Sequence, residues 1–411
     1  MHLHDINNLI NLQDIIITNC SISNGEQLIL VVEPVVINRT CPCCHSNEHV
    51  ILIGVRKTLR SVRHLDCFER QTILLLPMIR LTCTSCEVFF THQYSFVEER
   101  SRYTIPFQRK LANSLTGTTV KHIAKLFDVP YSTCERIVKK HLNTHTPTHQ
   151  KELLETAVET TKLVLGIDDF AIRKGHRYNT GIHDLKNEAL LIVTKGRTFT
   201  ELIKDTNLLS TLECLKPFAV VMDLARSYHK FCATVFPDAI RIADRFHVNR
   251  YMTDAVGAVR RRVSKTLKGI SIRFLKQHKQ LLEKRNDNLT DKEQNKLVKL
   301  LSFSPELAQI YGIKESLIDW YDLSNESNSL KRLQRWIKTA EALKIPELNE
   351  ALKPFKNWTV EISNYHKCRF TNAAVEGRNN KIKTLQRKCY FLRNRLIYEN
   401  RIYQECNSYY L

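Results

Sequence analysis

Four short apolar runs between Lys162 and His247 constrain this chain more than any other feature. KLVLGID, ALLIVT, FAVVMD and AIRIAD each have the length and the aliphatic, β-branched composition of a strand. Turn signals and one helical stretch separate them, which is the layout of an α/β sheet. Residues 160–249 are therefore expected to form the first part of a mixed α/β core domain. Three of the runs end on an acid, and of these Asp168 follows LVLGI and Asp223 follows FAVVM. Both should lie at the ends of buried strands, where side chains project from the sheet edge toward a site.

Two anions held close repel each other and shift each other's pKa unless a divalent cation joins them. Magnesium suits such a pair, being a hard ion that takes one or two carboxylates and keeps its remaining positions for water and phosphate oxygens. A third acid, Glu376, lies in TNAAVEGRNNKIKTLQRK, a helical segment whose later turns carry Arg378, Lys381 and Lys383. These three cations are expected to bind phosphate. Asp169 is a rival to Asp168, but strand alternation lets only one of the two face the site, and Asp168 is the one that ends the apolar run. Asp244 and His247, in ADRFHV, end another strand; the aspartate would orient the histidine or shape the acidic site. Each acid taken singly also reads as a strand-end cap, a turn former or a surface helix residue. Tyr228, Phe231, Cys232 and Val235 fall at i, i+3, i+4 and i+7 and read as core.

Residues 250–367 show no strand pattern, and Leu, Lys, Glu and Gln dominate them, so they read as a helical insertion. Residues 368–411 form a basic and aromatic C-terminal helical region. Residues 1–100 read as a β-rich module. Within it Cys41-Pro-Cys-Cys44 and Cys83-Thr-Ser-Cys86 supply two C-x-x-C knuckles separated by 38 residues. Cys41, Cys44, Cys83 and Cys86 would hold one structural zinc, with Cys43 able to replace either neighbour. The intervening strands would form an extended hairpin that returns the second knuckle to the first, making a zinc ribbon. The ion would contribute roughly 10 to 16 kcal/mol to folding such a module.

Residues 101–150 turn helical. Val120, Ile123, Ala124 and Phe127 recur at helical spacing, Asp128-Val-Pro130 breaks the pattern, and Cys134, Ile137, Val138 and Leu142 point a second short helix inward. That leaves Ser132, Thr133, Arg136, Lys139 and Lys140 outward, the mixture that a helix-turn-helix uses on bases and phosphates. NTHTPTHQ, residues 143–150, reads as the polar linker that ends this unit. An ordinary helical hairpin with a solvated face is the plainer reading of the pair. Charge argues for DNA: 62 Lys and Arg against 42 Asp and Glu give a net charge of +20, so a polyanionic partner is expected. The longest apolar stretch, Ile73 to Ile79, is too short to span a bilayer, and the N-terminus lacks secretory features. The expected place is the cytoplasm. Thirteen cysteines, an odd number, argue for reduced thiols rather than a disulfide framework.

CPCC with CTSC, LGIDDFAIRKGHRY, VVMDLARSYHKF, ADRFHV and TNAAVEGRNNKIKTLQRK, in that order, resemble the DDE transposases of bacterial insertion sequences, in particular the ISL-three family. The resemblance covers nearly the whole chain. It implies a zinc ribbon, a helix-turn-helix, and an RNase H-like catalytic domain interrupted by the helical insertion. It also implies that Asp168, Asp223 and Glu376 are the catalytic triad, with Asp244 and His247 on a secondary motif. Two magnesium ions, with manganese as a substitute, would serve cleavage by water and then attack of the released 3′-hydroxyl on target DNA. The partners implied are double-stranded element ends and target, with the protein acting as a homodimer. Asp169 and Cys389-Tyr390 stand where the family often has Glu and a glycine-aromatic pair. Two rival functions are a DNA-binding regulator with an inactive RNase H-like domain and a hydrolytic nuclease without strand transfer.

Overall fold

The computed structural model describes residues 3–10, 12–23, 27–173, 177–389 and 394–407, arranged in two compact units, Met1–Thr144 and His145–Tyr410. Lys174 to His176 and Tyr390, which belong to the sequence motifs above, lie outside the described residues.

The first unit begins with helix α1 (Leu3–Ile10) and contains strands β1 (Ile15–Ser23), β2 (Gln27–Pro34), β3 (Val50–Val55), β4 (Arg60–Arg63), β5 (Gln71–Leu76), β6 (Ile79–Cys83) and β7 (Val88–Thr91). They form a four-stranded sheet ordered β1-β2-β5-β4 and a three-stranded sheet ordered β3-β6-β7. The segment between the cysteine knuckles is thus not one extended hairpin. β3 pairs antiparallel with β6, whereas β4 and β5 leave to join β2 in the other sheet. Burial explains the split: Val62, Leu74 and Leu76 are enclosed with Leu30 and Val32, which a lone hairpin would have left in water.

Helices α2 (Ile105–Asn113), α3 (Val120–Leu126) and α4 (Tyr131–Glu159) follow. Thr104 and Thr119 cap the first two, their hydroxyls accepting from the Phe107 and His122 amides. α4 corrects two expectations. The second helix of the pair is long, and NTHTPTHQ is helical within it despite Pro147. Helix formers flank that segment on both sides, the Thr144 hydroxyl bonds back to the Lys140 carbonyl at 3.0 Å, and Leu142 and Thr146 are buried one turn apart. Propagating a helix that its flanks have already nucleated outweighs the hydrogen bond that proline removes. The division between the two units falls inside this helix.

The second unit is built on β8 (Val164–Arg173), β9 (Arg177–Asp184), β10 (Ala189–Lys195), β11 (Ala219–Met222) and β12 (Ile240–Ala243). The order is β10-β9-β8-β11-β12; the β9 pairings are antiparallel, and β11 is parallel to both β8 and β12. On one face, α5 (Phe199–Ile203), α6 (Thr206–Glu213), α7 (Arg226–Val235) and the end of α4 pack over Leu165, Ile167, Val220 and Met222. On the other lie α8 (Arg245–Val263), α9 (Gly269–Gln277), α10 (Asp291–Leu301), α11 (Pro305–Leu323), α12 (Ser329–Ala342), α13 (Pro346–Asn357), α14 (Thr359–Ser363) and α15 (Tyr365–Cys368). This strand-free stretch shares one continuous core with the sheet: Val164, Val221 and Ile242 pack with Val248, Met252, Trp320, Trp336 and Phe355. Finally α16 (Ala373–Lys388) crosses β8, and α17 (Arg395–Cys406) packs with it over Phe170, Leu190 and Val193.

Candidate functional site

Register sets up the acidic site. Ile167 of β8 pairs with Met222 of β11, and Met222 pairs with Ala243 of β12. The next residue on each strand is an aspartate, so Asp168, Asp223 and Asp244 stand in one row across three adjacent strands. Asp168 is not at the end of its strand as read from the sequence: β8 continues to Arg173 against β9. It lies where the parallel ladder with β11 stops, because β11 is only four residues long.

Asp168 is half-buried. Its Oδ1 accepts from the Asp169 amide at 2.8 Å, and its Oδ2 accepts from Asn379 Nδ2 at 2.9 Å. Burial pushes its carboxyl up to about 7; the Asp169 amide and the His247 imidazole work against this rise, and the Asp169 and Asp223 carboxylates add to it. Asp169 alternates to the other side. There Arg197 approaches it at 3.6 Å, and its own upward shift comes chiefly from burial, opposed by that guanidinium and by Tyr228. Asp223 Oδ1 accepts from the Leu224 amide at 2.6 Å and lies 3.8 Å from His247 Nδ1. Asp244, only 1% exposed, precedes α8 without capping it. Its Oδ2 sits 3.0 Å from His247 Nδ1, and its Oδ1 accepts from the Asn372 amide at 2.9 Å. The hydrogen bond to Asp244 is the main reason that the His247 pKa is raised; burial opposes it, and Asp223 and Asp168 add to it.

α16 lies close against this row because of Gly166. A Cβ there would come within 2.7 Å of Asn372 Oδ1 and 2.9 Å of Val375 Cγ2. The helix buries Val375, Arg378, Asn379, Ile382 and Leu385, and Asn372 Nδ2 donates to the Ile167 carbonyl at 3.2 Å. Glu376 is exposed in its first turn, three residues before Asn379 and thus on the same side of the helix. Among the described residues, Asp168, Asp223 and Glu376 are not drawn within 4.8 Å of one another, a spacing that only the cysteine quartet meets. Of the three cations on this helix, Lys383 is exposed and Lys381 half-buried. Arg378, expected from the sequence to bind phosphate, is buried and donates to the Glu188 carbonyl. Position 378 follows the i+3 spacing from Val375 and so faces the sheet. Gly166, Asn372 and Asn379 were missed by the sequence reading; the available signal was an asparagine pair seven residues apart on the stripe that Val375 and Ile382 define as core.

In the first unit, the β3–β6 ladder brings the two knuckles together by pairing Val50 with Cys83. Sulfurs of Cys41, Cys44, Cys83 and Cys86 all lie within 4.8 Å of one another, with Cys44 and Cys83 3.8 Å apart. Tetrahedral ligands at about 2.3 Å from zinc stand ~3.8 Å apart, so the quartet fits that ion. Cys43 is exposed and outside the quartet; its amide donates to Cys41 Sγ at 3.4 Å. Backbone amides of Cys44, chiefly, and Cys43 lower the Cys41 thiol to about 7 against the effect of burial. The core around the quartet is small, with Cys41 and Cys83 supplying two of its four buried residues beside Val50 and Leu81.

The α3–α4 turn is made by Asp128 in the left-handed region, with the Val129 amide closing onto the Ala124 carbonyl at 2.9 Å. Arg63 of β4 caps it by donating to the Phe127 and Asp128 carbonyls. Ser132, Arg136, Lys139 and Lys140 are exposed and Thr133 half-buried, while Cys134, Ile137, Val138 and Leu142 are inside. Two of the cations have acidic neighbours: Lys139 with Glu135 at 3.0 Å, and Lys140 with Glu98.

A helix pair whose second member is long, a cysteine cluster and a mixed five-stranded sheet with a row of acids where its parallel ladder stops make up the candidate functional apparatus. Residues 165–402 match a family described as transposase, of the DDE type of ISL3, and residues 93–142 match the helix-turn-helix domain of transposase family ISL3. The chain belongs to the ISL3 family of insertion-sequence transposases. It is 25% identical over 342 residues, 82% of each chain, to the transposase for insertion sequence element IS1001 of Bordetella parapertussis. It is 26% identical over 253 residues to the transposase for IS1557 of Mycobacterium tuberculosis, covering 56% of this chain and 57% of that one. No described helix is long and apolar enough to cross a membrane.

Proposed function

We propose that this protein binds the terminal inverted repeats of an insertion sequence and cuts and joins DNA with Asp168, Asp223 and Glu376 as its acidic triad, on an RNase H-like sheet. The observation that carries this reading is the register row, which sets Asp168 beside Asp223 at the end of the parallel ladder within the family-matched region. The strand order, with two antiparallel and two parallel pairings, supports the RNase H-like assignment. Glu376 enters through α16, whose neighbouring Asn379 touches Asp168.

The donor set is all hard oxygen, and burial together with neighbouring negative charge opposes ionisation of Asp168, so a divalent cation fits here better than a soft ion. Magnesium or manganese, when bound, would neutralise charge developing on the scissile phosphate. Asp168 and Asp223 would hold it, with Glu376 completing the set. Asp244 orients His247 through Nδ1, leaving the other ring nitrogen for the site. The cysteine quartet would hold one structural zinc. Ser132, Thr133, Arg136, Lys139 and Lys140 would contact DNA from the start of α4, and Lys381 and Lys383 from α16.

Purified protein incubated with a labelled duplex carrying the inverted repeats should yield nicked and joined products with magnesium and none with EDTA. Asp168→Ala, Asp223→Ala and Glu376→Ala should each abolish the products and keep end binding. Normal cleavage by any of the three would falsify the triad. Binding without cleavage by the parent protein would favour a regulator with an inactive sheet domain.

A further inference from the structure

Asn379 is 3% exposed on the face of α16 that meets β8, and its Nδ2 donates to Asp168 Oδ2 at 2.9 Å. Its Oδ1 is buried with no hydrogen-bond partner among the described residues. A buried amide with one unsatisfied end costs free energy, which an apolar side chain would avoid at the expense of the hydrogen bond to Asp168 Oδ2, so the two effects offset. Stability therefore gives no reason for an amide here, whereas the carboxylate opposite it does. The other oxygen of Asp168 is fixed by the Asp169 amide, so one donor on each side settles the rotation of the carboxylate and leaves its remaining lone pairs facing outward. Seven residues earlier, on the same face, Asn372 anchors the adjoining carbonyl of Ile167 with its side-chain amide, and Gly166 leaves the room that Asn372 and Val375 occupy. Asp168 and Asn379 are 211 residues apart in the chain, so α16 delivers this donor from outside the sheet.

We propose that Asn379 is the positioning residue for Asp168: its amide orients the carboxylate toward a divalent cation, and α16 thereby contributes a metal-orienting group as well as Glu376. This rests on the triad reading above. Partners that orient a ligating carboxylate typically tune metal affinity by 10- to 100-fold.

The test uses full-length protein with Asn379→Leu, which keeps the volume, and Asn379→Ser, which removes the bulk. Three quantities are read: manganese binding by calorimetry, the magnesium concentration giving half-maximal cleavage of a labelled element-end duplex, and the melting temperature in EDTA. The proposal expects metal affinity to fall at least about tenfold by both metal measures. Melting and element-end binding should stay at parental values, and excess magnesium should restore much of the rate. Unchanged manganese affinity in either folded variant overturns it, and so does a loss of folding in both variants, which would make Asn379 a structural residue. Asp168→Ala run in parallel separates the two readings. If Asp168→Ala still cleaves, the triad fails; if it is inactive while the Asn379 variants match the parent, only the positioning role fails.

Discussion

At the residue scale, Asp168 shows what it costs to hold an acid in a half-buried row. Its carboxyl titrates at about 7 in the fold against an ordinary value of 3.8. Between these values the native state keeps a proton that the unfolded chain has lost, so stability falls as pH rises through that window and the full penalty is present above it. In EDTA, Asp168→Asn should therefore be more stable to unfolding than the parent at pH 8, by on the order of 1–2 kcal/mol after allowance for solvent screening, and the gain should vanish near pH 3.5. A pH-independent difference would contradict burial as the cause. Asp168 and Asp223 were legible because each ends an apolar run, whereas Asn372 and Asn379 were not. Their meaning depends on which strand α16 crosses, and Arg378 turns inward for the same reason.

At the scale of the element, the helix pair followed its periodicity: Ile123, Ala124, Cys134, Ile137 and Val138 are inside, and the cations are outside. Periodicity reports burial, and it also reports the break at Asp128. It does not report helix length across weak formers, which is why 143–150 is helix and not linker. Ion pairing separates cations that look equivalent in the sequence, since Lys140 is engaged by Glu98 while Arg136 stands exposed. Arg136→Ala should weaken element-end binding and lower the slope of log affinity against log salt by about one. Lys140→Ala should change both less, because that cation already has a counter-charge. Binding titrations over a range of salt concentrations check the pair, and equal effects would remove Glu98 from the account.

At the scale of the whole molecule, the three-stranded sheet has so few enclosed residues that a metal held by the quartet would become part of its core. Elemental analysis should find one zinc per chain, retained in Cys43→Ser and lost in Cys44→Ser and Cys83→Ser. Loss should expose the β3 and β6 amides to hydrogen exchange and leave those of β8 and β11 protected. Exchange that is unaffected by zinc removal would mean that the quartet is not structural. Local sequence determined much here: strand-length apolar runs, helical periodicity and the C-x-x-C pairs are properties of neighbours in the chain, and they located the sheet, the helix pair, the cysteines and two acids. Tertiary structure decided which strands share a sheet, sending β4 and β5 away from the hairpin between the knuckles, and it decided what faces Asp168. Those outcomes follow from which apolar faces can be buried together and how closely Gly166 lets a distant helix approach, and no local pattern encodes either distance.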